Sequence, residues 1–386
     1  DPSDSYEKAL DFLDRAVGAR APRALREAFL ANGHEAVAKL EDNSHVQYQV
    51  RQLHPDYMTE LPGSVLRGRA IEPKPFDGRL LGKALKLIRP PIPEFTVLGG
   101  MMVDRDDIGH LLNVGKSFKS FRYAMRIILR HQMDRLLHGR GTRLVMGNAL
   151  IGRLLLSLRE RKVTIVNRCN VTALRTQGEG ETGKSVTGVV LEQDGVRREV
   201  VVRGGVVLAS GGFNRHPKRR GEWLPGVSPD WCPAAPGHTG SAQDLAIAIG
   251  ASYGATELAS DPAEDGKVLS HAFWAPVSIR KRADGSVAAF PHFVMDRGKP
   301  GMITVNQRGE RFVNESTSYH LFGLAMQAAD RHAPSIPAWL VCDAEALARY
   351  GLGMIRPGAK EGASIAPFLA DGYLTRGQTV AELAAK

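Results

Sequence analysis

Apolar positions along this chain repeat with two different periods, and the change of period divides it. Near the start, DSYEKALDFLDRAVG has a helical period, with Ser5 or Asp4 placed to cap it. A longer helix is predicted within KSFKSFRYAMRIILRHQMDRLLHGRGTR, where Phe121, Met125, Ile128, Leu129, Met133 and Leu136 fall three or four apart with arginines between them. From Val163 the period drops to two. VTIVNRCNVTALRT and SVTGVVLEQDGVRREVVVR both alternate, and Asp194-Gly195 is a two-residue hairpin turn inside the second. GVVLA follows, apolar at every position, and reads as a buried strand that runs into SGGFNRH. TRGQTVAELAAK closes the chain with a short helical start capped by Thr379.

A buried strand that ends in paired glycines lets the flat or phosphorylated part of another molecule approach the backbone. In open α/β sheets, ligands gather at the carboxyl ends of strands. Ala209, Ser210, Gly211 and Gly212 are therefore the expected cofactor contacts. A plain tight turn is the alternative, and composition alone does not separate the two.

A competing signal is GEGETGKS, Gly178 to Ser185, which matches the phosphate-loop pattern letter for letter. Such a loop works only where a buried strand passes straight into a helix, whose N-terminus meets the phosphates. Here alternating strand patterns stand on both sides, and Glu179 and Glu181 would repel phosphate. The segment is expected to be a hairpin tip. AWLVCDAE, ending near Asp343, resembles a magnesium-holding strand but has no competent loop to serve.

Composition narrows the classes. The 386 residues suffice for two or three domains, and Lys plus Arg exceed Asp plus Glu by 51 − 41 = 10. No zinc finger, aromatic-basic RNA motif or heptad array accompanies that charge, so nucleic acid binding is not expected. No run of about 18 apolar residues is present to cross a bilayer. Peripheral contact with a membrane surface is the functional reading of the basic helix, set against an ordinary solvated face. Cys169, Cys232 and Cys342 show no metal or disulfide spacing, so no metal is expected and the cytoplasm is the expected compartment.

Several segments in one order then carry a resemblance: GNALIGRLLLSLRERKVTIV, RGGVVLASGGFNRH, APGHTGSAQDLAIAIGA, GMITVNQRGERFVNESTSYH and IPAWLVCDAEALARYG. Together they resemble the flavoprotein family of fumarate reductases and 3-ketosteroid dehydrogenases. HPDYMTELPGSVLRGRAIEPKPFDGRLLG looks like the 3-ketosteroid Δ1-dehydrogenase branch in particular. The resemblance implies an α/β fold, with an FAD-binding Rossmann-like sheet and β-meander plus a smaller substrate or cap domain. It implies helices and loops over 1–144, the FAD-binding core over 145–260 and the cap over 261–386, with a boundary near ELASDPAEDGKV. It also implies that the chain is an interior portion, with about 60 residues before it and on the order of 100 or more after it.

The chemistry implied is desaturation of a hydrophobic, steroid-like ketone, with hydride passing to FAD and a proton to a tyrosine. Tyr319 in NESTSYH takes the place of the base, and Tyr57 in PDYM that of a supporting phenol. The two are expected to meet at a cleft between domains. Ala209 to Gly212 fall beside the FAD, Val171 on the strand that meets its adenine, and Thr239-Gly240 near the flavin, although the family's acidic residue after that pair is Ser241 here. Arg311 reads as an ion-pair partner for Glu315. A dicarboxylate-handling, fumarate-type reductase and a noncatalytic flavoprotein homologue are the alternatives. The uncharged STS and the apolar LFGLAM around Tyr319-His320 favour a hydrophobic substrate over the first of these.

Overall fold

The computed structural model describes residues 2–178, 185–224, 226–251, 272–282, 284–359 and 362–386. The chain divides into two compact units, 1–165 and 166–386.

In the first unit, helix α1 (Tyr6–Val17) is capped by Ser5, whose Oγ accepts the Lys8 N–H at 3.1 Å. The chain turns back into α2 (Arg23–Asn43), tied to α1 by Arg26, which donates to Asp14 at 2.8 Å. Short antiparallel pairs follow: β1 (Tyr48–Val50) with β2 (Ile71–Pro73), β3 (Phe76–Asp77) with β6 (Arg143–Leu144), and β4 (Thr96–Val97) with β5 (Met101–Met102). Phe76, Leu81, Leu85, Ile88, Leu144, Ala149 and Leu155 form the core, closed by α5 (Met146–Glu160).

Helices α3 (Arg105–Leu112) and α4 (Phe118–His138) pack together through an unusual choice of face. The expected apolar stripe of α4 points outward: Leu129 is 59% and Leu136 81% exposed, and Phe121 and Met133 are exposed as well. Ser120, Ala124, His131 and Asp134 are buried instead. Their partners explain it. Ser120 meets His110 Nδ1 at 3.0 Å, and Asp134 accepts the Thr142 N–H and hydroxyl at 3.0 and 2.7 Å. Buried polar groups that find partners can occupy an inward face that periodicity assigns to apolar ones.

The second unit opens with an antiparallel meander, β7 (Cys169–Gln177), β8 (Ser185–Gln193) and β9 (Val196–Val201). The expected Asp194-Gly195 turn joins β8 to β9, both residues at positive φ, +50° and +78°. Ser185 starts β8 opposite Gln177, so a strand follows the phosphate-loop lookalike. Residues 179–184 of that segment lie outside the described residues, as does the boundary expected within 257–268.

Two strand expectations need correction. Residues 163–167 join no sheet, and β7 begins only at Cys169. Residues 206–209 are without strand assignment, pair with no described strand, and leave Val207 89% exposed. A strand is stable only where its main-chain groups find partners, and every ladder among the described residues is antiparallel. The parallel Rossmann sheet is not formed among them.

Beyond the meander come α6 (Arg219–Trp223) and α7 (Ser241–Ala248), which lies against β7. Two antiparallel pairs follow, β10 (Val277–Lys281) with β11 (Val287–Pro291) and β12 (Met302–Val305) with β13 (Trp339–Cys342). Helices α8 (Val294–Arg297) and α9 (Tyr319–Asp330) stand on either side of β12 in sequence. A small core of Ile355, Ala359 and Ile365, backed by Leu347, Phe368 and Tyr373, completes the unit.

Candidate functional site

The glycine turn and the Thr-Gly turn meet. Gly240 donates its N–H to the Gly212 carbonyl at 3.1 Å and, at φ +74°, forms the N-cap of α7. Gly211 stands at φ +90°, and a Cβ there would lie 2.7 Å from the His238 ring. Glycine is thus required at 211 by this protein's own packing, whatever else approaches. Thr239 Oγ1 bonds Ser241 Oγ at 3.3 Å, so the serine in place of the family's acid closes the turn locally. Val171 lies in β7 opposite Leu191, exposed on the strand that α7 packs against.

Residues not singled out from the sequence lock this corner. Arg219, buried, lies with its guanidinium 5.0 Å from the Trp223 ring centroid and pairs with Asp244 of α7, which also meets His216 Nε2 at 3.0 Å. Asp244 has the N-terminal placement of a first-turn acid, which was the one available signal.

A cavity of about 230 Å³ opens here, bordered by Leu208, Ser210, Gly211, Ala242, Gln243 and Ile247. Sites that bury a whole drug-sized molecule run to ~300–1,000 Å³, so this one suits a portion of a larger ligand. Apart from Gln243 its walls are small or apolar, and the first turn of α7 brings main-chain N–H groups that lack helical acceptors. That donor set fits one part of a flavin nucleotide.

The second constellation is built around Tyr319. Asn314 orders the loop before it, its Oδ1 accepting the Ser316 N–H and its carbonyl the Thr317 N–H, at 3.0 and 3.1 Å. Glu315 is buried and accepts the Thr304 N–H at 2.7 Å and Arg311 at 2.5 Å, the ion pair expected from the sequence. Burial pushes the Glu315 carboxyl up, but the bonds from Arg311 and Thr304 outweigh it and hold the group below the ordinary range. Ser318 then caps α9, accepting the Leu321 N–H at 3.3 Å, and Tyr319 is the first helical residue.

Tyr319 is half-buried. The ring of Phe293, itself exposed, meets it edge-on at 6.3 Å. Phe273, 76% exposed, stacks on His320 at 6.0 Å, and the buried Trp274 lies beside it. On the inner side stands Arg297, 1% exposed. Its guanidinium donates to the main-chain carbonyls of Glu315 and Thr317 and lies 5.6 Å from the Tyr319 ring centroid and 4.5 Å from that of Phe322. Burial lowers Arg297 to about 10, with Tyr319, Asp296 and Glu315 offsetting only part of the cost, so it stays charged at neutral pH. Nothing in DRGKPG distinguishes Arg297 from the less buried Lys299 two residues on, and sequence reasoning missed it.

Tyr57 belongs to the first unit. It is 48% exposed and meets His54 edge-on at 6.0 Å. Around it, each shared motif has a mechanical purpose. Asp56 accepts the Val65 N–H at 2.9 Å and Arg69 at 2.9 Å, while Arg69 also binds Asp4 and the Gly63 carbonyl. Gly63 is obligatory: a Cβ would lie 2.4 Å from the Lys8 carbonyl oxygen of α1.

Comparisons with known proteins give the family. A family described as FAD binding domain matches residues 1–372. A 4-oxocyclohex-2-ene-1-carboxylate 5-dehydrogenase of Sinomonas cyclohexanicum is 32% identical over 92% of the chain and 57% of its own length. A 3-oxosteroid 1-dehydrogenase of Mycolicibacterium smegmatis is 28% identical over 99% of the chain and 64% of its own length. Among solved structures, 3-ketosteroid Δ1-dehydrogenase from Sterolibacterium denitrificans, in complex with 1,4-androstadiene-3,17-dione, matches with a TM-score of 0.77 at 28% identity. That match covers 94% of this chain and 62% of the other. The chain therefore spans about three fifths of the length of these relatives.

Proposed function

The chain belongs to the FAD binding domain family, and from that premise we propose that it desaturates a hydrophobic cyclic ketone in the manner of the 3-ketosteroid Δ1-dehydrogenases. The observation that carries this reading is Tyr319, half-buried at the head of α9, with the exposed ring of Phe293 against it and Phe273 beyond on His320. A phenol in an apolar frame can take a proton from a carbon acid while its ring packs against a greasy substrate.

Two C–H bonds on adjacent carbons break and a C=C bond forms between those carbons. One proton goes to the Tyr319 oxygen, which must be ionised to accept it; the other hydrogen leaves as hydride. FAD, when bound, supplies the acceptor for that hydride and its two electrons. Residues 206–212, with Thr239-Gly240 and Val171, are the proposed cofactor side. Tyr57 is the proposed supporting phenol. Residues 261–386 are the proposed substrate lobe.

The test uses the flavin-loaded protein with a 3-ketosteroid, a cyclic keto acid and a dicarboxylate pair. Turnover of the cyclic ketones is expected, falling about 10²–10⁴-fold in Tyr319→Phe with flavin retained. Turnover confined to the dicarboxylates, or an unchanged rate in the variant, would refute the reading.

A further inference from the structure

Tyrosine ionises near pH 10 when free, so a tyrosine base needs a neighbouring group that favours its anion. We propose that Arg297 is that group: a positioning residue that fixes the loop before Tyr319 and stabilises its phenolate. The inference rests on the reading of Tyr319 as the base and extends it to a residue that reading does not name.

Its placement carries the argument. Both carbonyls that Arg297 holds, those of Glu315 and Thr317, belong to the five residues that lead into Tyr319, so one side chain sets the loop and approaches the ring at 5.6 Å. It is 1% exposed, and its Nε is buried without a hydrogen-bond partner. No carboxylate among the described residues lies within ion-pair distance of it.

The charged and titratable groups around the site are otherwise engaged. Glu315 is neutralised by Arg311. Asp296 of α8 bonds the His292 ring from the end of β11 and accepts the Gly353 N–H at 3.1 Å. His320 of α9 receives the Trp274 N–H at 3.4 Å. Arg297 is left as a desolvated cation with no carboxylate in ion-pair contact among the described residues, Asp296 and Glu315 offsetting its burial only in part. In such a setting a positive charge shifts a neighbouring acid toward its ionised form. Main-chain carbonyls orient the guanidinium without consuming its charge.

The decisive measurement is an ultraviolet difference titration of wild type minus Tyr319→Phe, which isolates one phenol and needs no substrate. A midpoint at least about one pH unit below the ~10 of free tyrosine is expected. Arg297→Lys, which keeps the charge, should retain part of that depression. Arg297→Met should abolish it. In the flavin-loaded enzyme, Arg297→Lys should lower kcat with little change in KM, the loss recovering as pH rises.

A wild-type midpoint at or above ~10 overturns the inference, as does an unchanged midpoint in a folded Arg297→Met. Should that variant fail to fold, the wild-type and Arg297→Lys titrations decide. The two readings fail separately. Full turnover by Tyr319→Phe removes the base assignment, whereas an ordinary phenol titration removes the part given to Arg297.

Discussion

Two tyrosines, one in each unit, sit against buried charges of opposite sign. Tyr123 on α4 donates its hydroxyl to Asp107 at 2.7 Å, and burial together with that carboxylate pushes its phenol up to about 12. Asp107 is wholly buried and is claimed as well by Arg143, at 2.6 Å, and by the capping box of α3. There the guanidinium has two carboxylates, Asp104 and Asp107, and although burial opposes it their attraction raises its pKa. Arg297 has two carbonyls and a phenol ring in place of those carboxylates. The first arrangement cancels its own field and serves the fold; the second leaves a field for its neighbour to use.

Breaking the balanced cluster should cost most. Asp107→Ala leaves Arg143 with Asp104 alone and the Tyr123 hydroxyl without its acceptor, and a stability loss of about 3–5 kcal/mol is expected, read as a lower urea midpoint. Arg297→Met leaves two carbonyls without donors, and about 2–3 kcal/mol should go by the same measurement. If the second loss exceeded the first, the contrast between a structural and a functional cation would be wrong.

A smaller effect sharpens the contrast from the acid side. The Glu315 carboxyl is held below its ordinary value of 4.5 in the folded protein, so its contribution is complete above that pH. It fades as pH falls through the folded value, because the unfolded chain takes up the proton first. Arg311→Ala should flatten that acid dependence, seen as a shallower fall of Tm with pH, while changing stability at neutral pH the least of the three.

Legibility in the sequence followed locality. The Asp194-Gly195 turn, the Ser5 and Thr379 caps and the Arg311–Glu315 pair depend on residues a few positions apart, and all are where pattern reasoning puts them. The outward stripe of α4 was not readable, because Thr142 and His110, which draw its polar face inward, lie outside the helix. Residues 206–209 carry a strand's composition, but pairing needs partners elsewhere, and composition says nothing of them. At the candidate site, Tyr319 was accessible through its motif. Arg297 was not, since its burial is set by α9 and the loop folding over it.

The bare ribbon at 206–209 also shapes how this chain behaves in company. With Val207 almost fully in water and no strand alongside among the described residues, it presents amide and carbonyl groups outside any described ladder, next to apolar side chains. Any other extended polypeptide can dock there, another copy included. The tendency of this protein to clump should therefore climb with its concentration.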